Sequence, residues 1–391
     1  MRKVDSIGEV STKFISLATL EREPLQLRRG GVLPEATLAY ETYGELSAAR
    51  DNAILVFHAL SGSQHLCGTN KSVEGVEERW TEECKVGWWN DFVGPKRAID
   101  TDKYFVICAN YLGGCYGSTG PLSINPETGA PYGGSFPWIT LADIVDSQVK
   151  LLDFLGIERL HGVVGASLGG MMALSLATRY PHRVKIVLPI ATGMAVSVFQ
   201  RILNFEQICA IEYDPDFRGG DYYGISEPRR GLSLARMISH KTFVSLETMQ
   251  QRAKEQLNGG EDFGQYQLTH KIESYMLHQG SKFVDRFDAN TYLCILGVWQ
   301  GVDLLADAGC NTFKEMFARC QGHHFMVFSV DSDGCFAPSE QQALVKELHS
   351  AGVDVRHITI HSDKGHDSFL VEPQLFMPHI LHSLEDDWWC D

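Results

Sequence analysis

The sequence predicts an α/β fold, a mostly parallel sheet with helices on both faces, and three observations lead there. Short apolar runs of strand length recur along the chain, at 53–57 (AILVF), 104–108 (YFVIC), 162–164 (GVV), 185–190 (KIVLPI), 325–328 (FMVF) and 355–360 (VRHITI). Stretches with helical spacing alternate with several of them, and strand-helix alternation produces a parallel sheet covered on both sides. The composition, 44% hydrophobic and 21% charged over 391 residues, is that of a globular chain able to bury a large core. At that length one core stops growing, so a second domain or a large insertion is expected.

Taken in order, 53–57 and 104–108 read as buried strands, and 141–155 as a helix whose Ile144, Val145, Gln148, Val149, Leu152 and Leu155 share a face. The strand at 162–164 follows within a few residues, then a buried helix over 168–180, stopped by Pro181, then the strand at 185–190. The next 130 or so residues change character. They carry helical periodicity and Gly-rich breaks at Gly219-Gly220 and Gly259-Gly260, and they predict a helical insertion. The boundaries expected are 1–192 and 318–391 for the sheet domain and 193–317 for a helical lid. An insertion late in a parallel sheet lies over the carboxyl ends of its strands, where α/β folds place their sites. The strand pattern resumes at 325–328 and 355–360, and an apolar segment, 374–384, closes the fold.

Charge and cysteine usage narrow the function classes. A formal charge of −15 repels phosphate backbones, so no nucleic-acid partner is expected. No run approaches the ~20 apolar residues of a membrane span, and the opening MRKVDSIGEVSTKFISL lacks a secretory pattern, so no membrane partner and a cytoplasmic location are expected. Ten cysteines without a C-x-x-C pair suit reduced thiols, and no metal site is expected.

Gly165-Ala166-Ser167-Leu168-Gly169 fits G-x-S-x-G between a strand and a helix, the context of a nucleophile elbow. A serine hydroxyl attacks only when a base takes its proton, which calls for an orienting acid and then a histidine later in the chain. Asp333 follows the 325–328 strand and His366 follows the 355–360 strand, each in a strand-end loop. Asp331 is the rival acid, because strand alternation puts it on the same side as Asp333. A tetrahedral intermediate needs two amide donors. Leu168 supplies one, and the loop His58-Ala59-Leu60-Ser61-Gly62 after the first strand supplies the other, with Leu60 as the expected donor.

With these motifs in place, the chain resembles the homoserine O-acyltransferase family of the α/β-hydrolase fold, most closely its acetyl-transferring branch. The resemblance runs through LAYETYGELSAARDNAILVFHALSGSQH, NYLGGCYGSTGP, GASLGGMMAL, DPDFRGGDYY, GLSLARMISHKTFVS, RFDANTYL and GHDSFLVE. It implies acyl transfer from an acyl-CoA to an amino-acid hydroxyl on the route to methionine, by a ping-pong mechanism in a homodimer. Acetyl-CoA is then a co-substrate, with no resident cofactor. It also implies Ser167 as nucleophile, His366 as base and Asp333 as orienting acid, Arg236 as the grip on the substrate carboxylate and Asp367 as the partner of its ammonium. A planar guanidinium suits a carboxylate.

Two positions depart from the family pattern. Phe243 stands where many members carry a tyrosine, so a hydrogen bond is missing or comes from elsewhere, for example Tyr275. Cys335 stands where succinyl-using relatives carry an arginine, which favours acetyl-CoA. The alternatives are a serine O-acetyltransferase, a homoserine O-succinyltransferase, or an esterase or thioesterase on the same triad.

Overall fold

Eight strands form one sheet in the computed structural model, which describes residues 7–17, 23–255, 266–385 and Trp389. They are β1 (Lys13–Ser16), β2 (Thr37–Tyr43), β3 (Ala53–Phe57), β4 (Phe105–Ala109), β5 (Leu160–Ala166), β6 (Val184–Ile190), β7 (His324–Val330) and β8 (Asp354–Ile360). Their order across the sheet is β1-β2-β4-β3-β5-β6-β7-β8. All pairs from β4 to β8 are parallel, while β2 is antiparallel to both β1 and β4.

Each apolar run read from the sequence lies in one of these strands, except that Tyr104 precedes β4 by one residue. Alternation along them feeds two cores: Leu55, Val163, Val187 and Val327 face one side, and Val56, Val164, Leu188 and Phe328 the other. The first core is closed by α1 (Leu141–Phe154) and α2 (Leu168–Arg179), through side chains such as Ile144, Val145, Met171 and Leu174. The second is closed from the C-terminal part of the chain by Phe376, Ile380 and Leu384. Helix α1 starts where Thr140 and Asp143 cap each other, with Thr140 N donating to Asp143 Oδ2 at 2.8 Å and Asp143 N to Thr140 Oγ1 at 3.1 Å.

Strand β2, paired on both sides by β1 and β4, has no apolar run, and the reason is Glu41 within it, fully buried. Its carboxylate accepts from Thr12 Oγ1 (2.8 Å), Tyr43 OH (2.6 Å), His65 Nδ1 (2.8 Å) and Asn70 Nδ2 (2.8 Å). A buried carboxylate is tolerated when its lone pairs are met in this way. Hydrophobicity therefore hides a strand that hydrogen bonding secures.

Between β6 and β7 the chain is helical, as the periodicity predicts: α3 (Val198–Glu212), α4 (Arg229–Phe243), α5 (Leu246–Glu255), α6 (Lys271–Val284), α7 (Ala289–Gln300), α8 (Leu304–Ala308) and α9 (Phe313–Phe317). Helix α3 packs on α4 and α7, and α6 packs on α4 and α5, while α8 rests on the core helix α2. Gly219-Gly220 forms the turn before α4, both glycines at positive φ (65° and 97°). Gly259-Gly260 lies outside the described residues. After β7 come α10 (Pro338–Ser350), then β8, α11 (Ser368–Val371) and α12 (Pro373–Ser383).

The topology places the site. Strands β3 and β5 are neighbours although the chain builds β4 between them, so the loops leaving β3 and β5 part over a crevice.

Candidate active site

Ser167 sits at that crevice, at the junction of β5 and α2, with φ 57° and ψ −125°. A non-glycine residue in this region is strained and persists only when its surroundings over-determine it. Here Ser167 N donates to Ile190 O (2.9 Å), while Ser167 O accepts from Gly170 N (2.9 Å) and Thr192 Oγ1 (2.7 Å). The flanking glycines answer a steric demand. A Cβ on Gly165 would lie 2.1 Å from Gly169 O, and one on Gly169 would lie 2.3 Å from Phe57 O, both backbone atoms. Leu168 opens α2, so its amide belongs to the helix's first turn, where N–H groups lack an intrahelical acceptor.

Asp333 and His366 meet as a pair: His366 Nδ1 donates to Asp333 Oδ2 at 2.7 Å. The other oxygen, Asp333 Oδ1, accepts from Cys335 N (2.7 Å) and Phe336 N (2.8 Å), so the carboxylate cannot swing. The proton therefore stays on Nδ1 and Nε2 is left as the basic nitrogen. The His366 turn is tied to the β7 loop through Gly365 N, which donates to Ser332 Oγ at 3.0 Å. Asp331 is engaged elsewhere, accepting from His361 Nδ1 at 2.8 Å and Ser362 N at 3.1 Å. The ambiguity that periodicity left between the two acids is thereby settled as to which one meets His366.

The loop after β3 is held by its carbonyls. Tyr111 OH donates to His58 O, Gly62 N and His58 Nδ1 both donate to Ala59 O (3.0 and 2.7 Å), Arg286 donates to Ser61 O (3.3 Å) and Trp88 Nε1 to Ser63 O (2.9 Å). Tyr111 and Arg286 were not singled out in the sequence, although Arg286 begins the RFDANTYL motif. Leu60, inside this loop, lines the same cavity as Ser167 and His366.

That cavity is about 250 Å³ in volume, and Arg236 on α4 and Asp367 beside the histidine also line it. The Arg236 guanidinium lies 5.2 Å from the Phe243 ring centre and 4.9 Å from that of Phe283, so it is held by stacking. Burial and the nearby Arg286 charge pull its pKa down against the opposing pull of Asp367. Burial raises the Asp367 carboxyl, while Arg236 and His366 oppose the rise. For His366, burial favours the neutral ring, but the Asp333 charge and hydrogen bond, with Asp367 and Glu340, outweigh it and raise the pKa above the ordinary value.

Phe243 faces the cavity. Tyr275 does not replace its missing hydroxyl, because its OH is hydrogen-bonded to His240 Nε2 at 2.8 Å. Cys335 is buried beside Asp333, and its thiol is pushed well up by burial. A second guanidinium, Arg286, and the indole of Trp299 are cavity residues that sequence reasoning missed. Among the described residues no group of three metal-ligating side chains is assembled, and no helix is long and apolar enough to cross a membrane.

Nearly the whole chain is similar to known proteins. Residues 52–373 match the α/β-hydrolase fold family. A homoserine O-succinyltransferase of Aromatoleum aromaticum is 44% identical over 374 residues, 95% of this chain and 96% of the relative. A homoserine O-acetyltransferase of Moorella thermoacetica is 41% identical over 374 residues, 94% of each chain. The crystal structure of homoserine O-acetyltransferase from Bacillus anthracis superposes with a TM-score of 0.85 at 26% identity, covering 96% of this chain and 98% of that one.

Proposed function

Because the chain belongs to the homoserine O-acyltransferase family of the α/β-hydrolase fold, we propose that it transfers acetyl from acetyl-CoA to the homoserine hydroxyl. The observation that carries this reading is the single cavity in which Ser167, the Asp333-anchored His366, Arg236 and Asp367 converge. In the first half-reaction His366 Nε2 takes the Ser167 proton as Oγ attacks the thioester carbonyl. The Leu60 and Leu168 amides hold the oxyanion, and the collapsing intermediate expels CoA, whose thiol takes the proton back from His366. In the second, homoserine binds with its carboxylate on Arg236 and its ammonium on Asp367. His366 then removes the hydroxyl proton, the oxygen attacks the acetyl-serine carbonyl, and the proton returns to Ser167 as O-acetylhomoserine leaves.

Paired recognition of a carboxylate and an ammonium favours an amino acid over water as acceptor. The helices over the cavity act as a lid that keeps water from the acyl-enzyme. The donor is read as acetyl-CoA because Cys335 carries no charge to meet a succinyl carboxylate. The succinyl reading draws on the Aromatoleum relative and on Arg286. That guanidinium, however, is engaged with Ser61 O at 3.3 Å and Tyr116 OH at 3.1 Å. We place the enzyme in the cytoplasm, as a homodimer, in methionine biosynthesis.

Thiol release from acetyl-CoA and from succinyl-CoA, each with homoserine, serine or no acceptor, tests the proposal. Homoserine-dependent turnover of acetyl-CoA is expected, and equal release without acceptor would establish a hydrolase instead. Ser167→Ala is expected to lower turnover by at least about 10³-fold and to abolish the mass gain of one acetyl group on the protein.

A further inference from the structure

Trp299 lies on α7, 4% exposed, and is one of the residues that line the cavity. Its indole stacks on Phe336 (centres 5.6 Å apart, planes 16°), and Phe336 in turn stacks on His366 (5.7 Å, 26°). The ring is thus fixed relative to the base by two aromatic contacts. Its Nε1–H has no hydrogen-bond partner, and among the described residues no other cavity-lining side chain has a buried polar atom left unmet. An indole N–H only donates, and leaving it buried and unmet is destabilising. Alanine, leucine or phenylalanine would fill an apolar wall without that cost.

The neighbourhood indicates which acceptor the N–H serves. Trp299 and Arg236 line the same cavity as Ser167 and His366. Phe243, stacked on Arg236, also flanks His366 at 6.0 Å and carries no donor. A substrate carboxylate on Arg236 has two oxygens and about four lone-pair sites, while the rings flanking the guanidinium, Phe243 and Phe283, carry no donor, and the Tyr275 and Tyr292 hydroxyls are bonded to His240 and Gln207. We propose that the Trp299 indole N–H donates to the carboxylate of the amino-acid acceptor and is a specificity-determining group of the second half-reaction. This inference rests on the acyltransferase reading above, and it names a residue that reading does not require.

Trp299→Phe keeps an aromatic ring for the stack and removes the N–H. With the purified full chain, kcat/KM for homoserine is expected to fall about ten- to hundredfold, while the burst of thiol release from acetyl-CoA keeps its rate and stoichiometry. The comparison acceptor is 3-aminopropan-1-ol, which has homoserine's hydroxyl and amine without its carboxylate. On that acceptor wild type and variant are expected to differ by less than about twofold, because no carboxylate is present to lose the contact. An equal penalty on both acceptors would overturn the proposal in favour of a packing role. A slower acetyl burst would overturn it in favour of donor recognition, and unchanged homoserine kinetics would overturn it outright. If wild type itself showed no acetyl burst, the acyltransferase reading would be the one to fail.

Discussion

The electrostatics of His366 make a claim about pH. Burial disfavours the imidazolium, yet Asp333, Asp367 and Glu340 around the ring leave its pKa raised. A base must be neutral to accept a proton, so kcat/KM for acetyl-CoA is expected to rise with pH through a value above 6.5, the ordinary imidazole pKa. Asp333→Asn removes the nearest favourable charge. The acid limb is then expected to move to lower pH while the plateau falls by about 10⁴-fold, as loss of the orienting carboxylate does in a triad of this kind. A pH-rate profile of both proteins checks the two effects together, and an acid limb that stayed in place would mean that Asp333 does not set the ring's affinity for protons. At this scale the sequence was readable where chain order constrained it: Ser167, then Asp333, then His366. It could not separate Asp331 from Asp333 by periodicity, because that choice depends on which histidine and which loop amides donate to each carboxylate. Nor could it show that Tyr275 is bound to His240, since α4 and α6 meet only through tertiary packing. Trp299 was equally silent, an apolar residue at helical spacing whose unmet N–H exists only in three dimensions.

At the scale of elements, the elbow is the part most tightly specified by local sequence. The turn from β5 into α2 passes close enough to the end of β3 that Gly169 has no room for a methyl group: its nearest neighbours are Phe57 O at 2.3 Å and His58 O at 2.7 Å. These are backbone atoms of the end of β3 and the loop after it, so they cannot step aside as a flexible side chain would. Gly169→Ala is therefore expected to push the 58–62 loop and the Ser167 turn apart. A misplacement of about 1 Å costs around 10²-fold in rate, so acyl-enzyme formation is expected to drop by that order. Circular dichroism is expected to show the helix content retained, which separates a local shift from unfolding, and wild-type burst kinetics in the variant would contradict the steric reading. The parallel strands were legible for the same local reason, short runs of Val, Ile, Leu and Phe between turns. Strand β2 was not, because Glu41 interrupts it, and only the hydrogen bonds from Thr12, Tyr43, His65 and Asn70 make that burial possible. The clamp of Arg286 on Ser61 was hidden too, since it joins residues 225 apart in the chain.

For the whole molecule, the informative feature is a helix whose polarity is inverted. Helix α3 buries Gln200, Asn204 and Gln207, which share one face: Gln200 Nε2 donates to Cys335 O (2.8 Å), Asn204 Nδ2 to Gln300 Oε1 (3.2 Å), and Gln207 Oε1 accepts from Tyr292 OH (2.5 Å). Its opposite face presents Val198 (75% exposed), Phe199 (53%), Ile202 (53%) and Phe205 (61%) to solvent. A surface helix ordinarily turns its apolar stripe inward, and a contiguous exposed one marks an interface. The partner fitting the homodimer reading is a second copy, since one stripe can pair with the same stripe across a two-fold axis. Because α3 also reaches the Asp333 loop through Gln200 and Cys335 O, pairing would brace that loop. Sedimentation of the wild-type chain is expected to give the mass of two chains. Phe199→Lys combined with Phe205→Lys places charge in the centre of the stripe and is expected to give one chain at micromolar concentration, with the fold retained by circular dichroism. A wild-type chain that sedimented as a monomer, or a double variant that stayed dimeric, would remove α3 as the interface and leave its exposed stripe to another role.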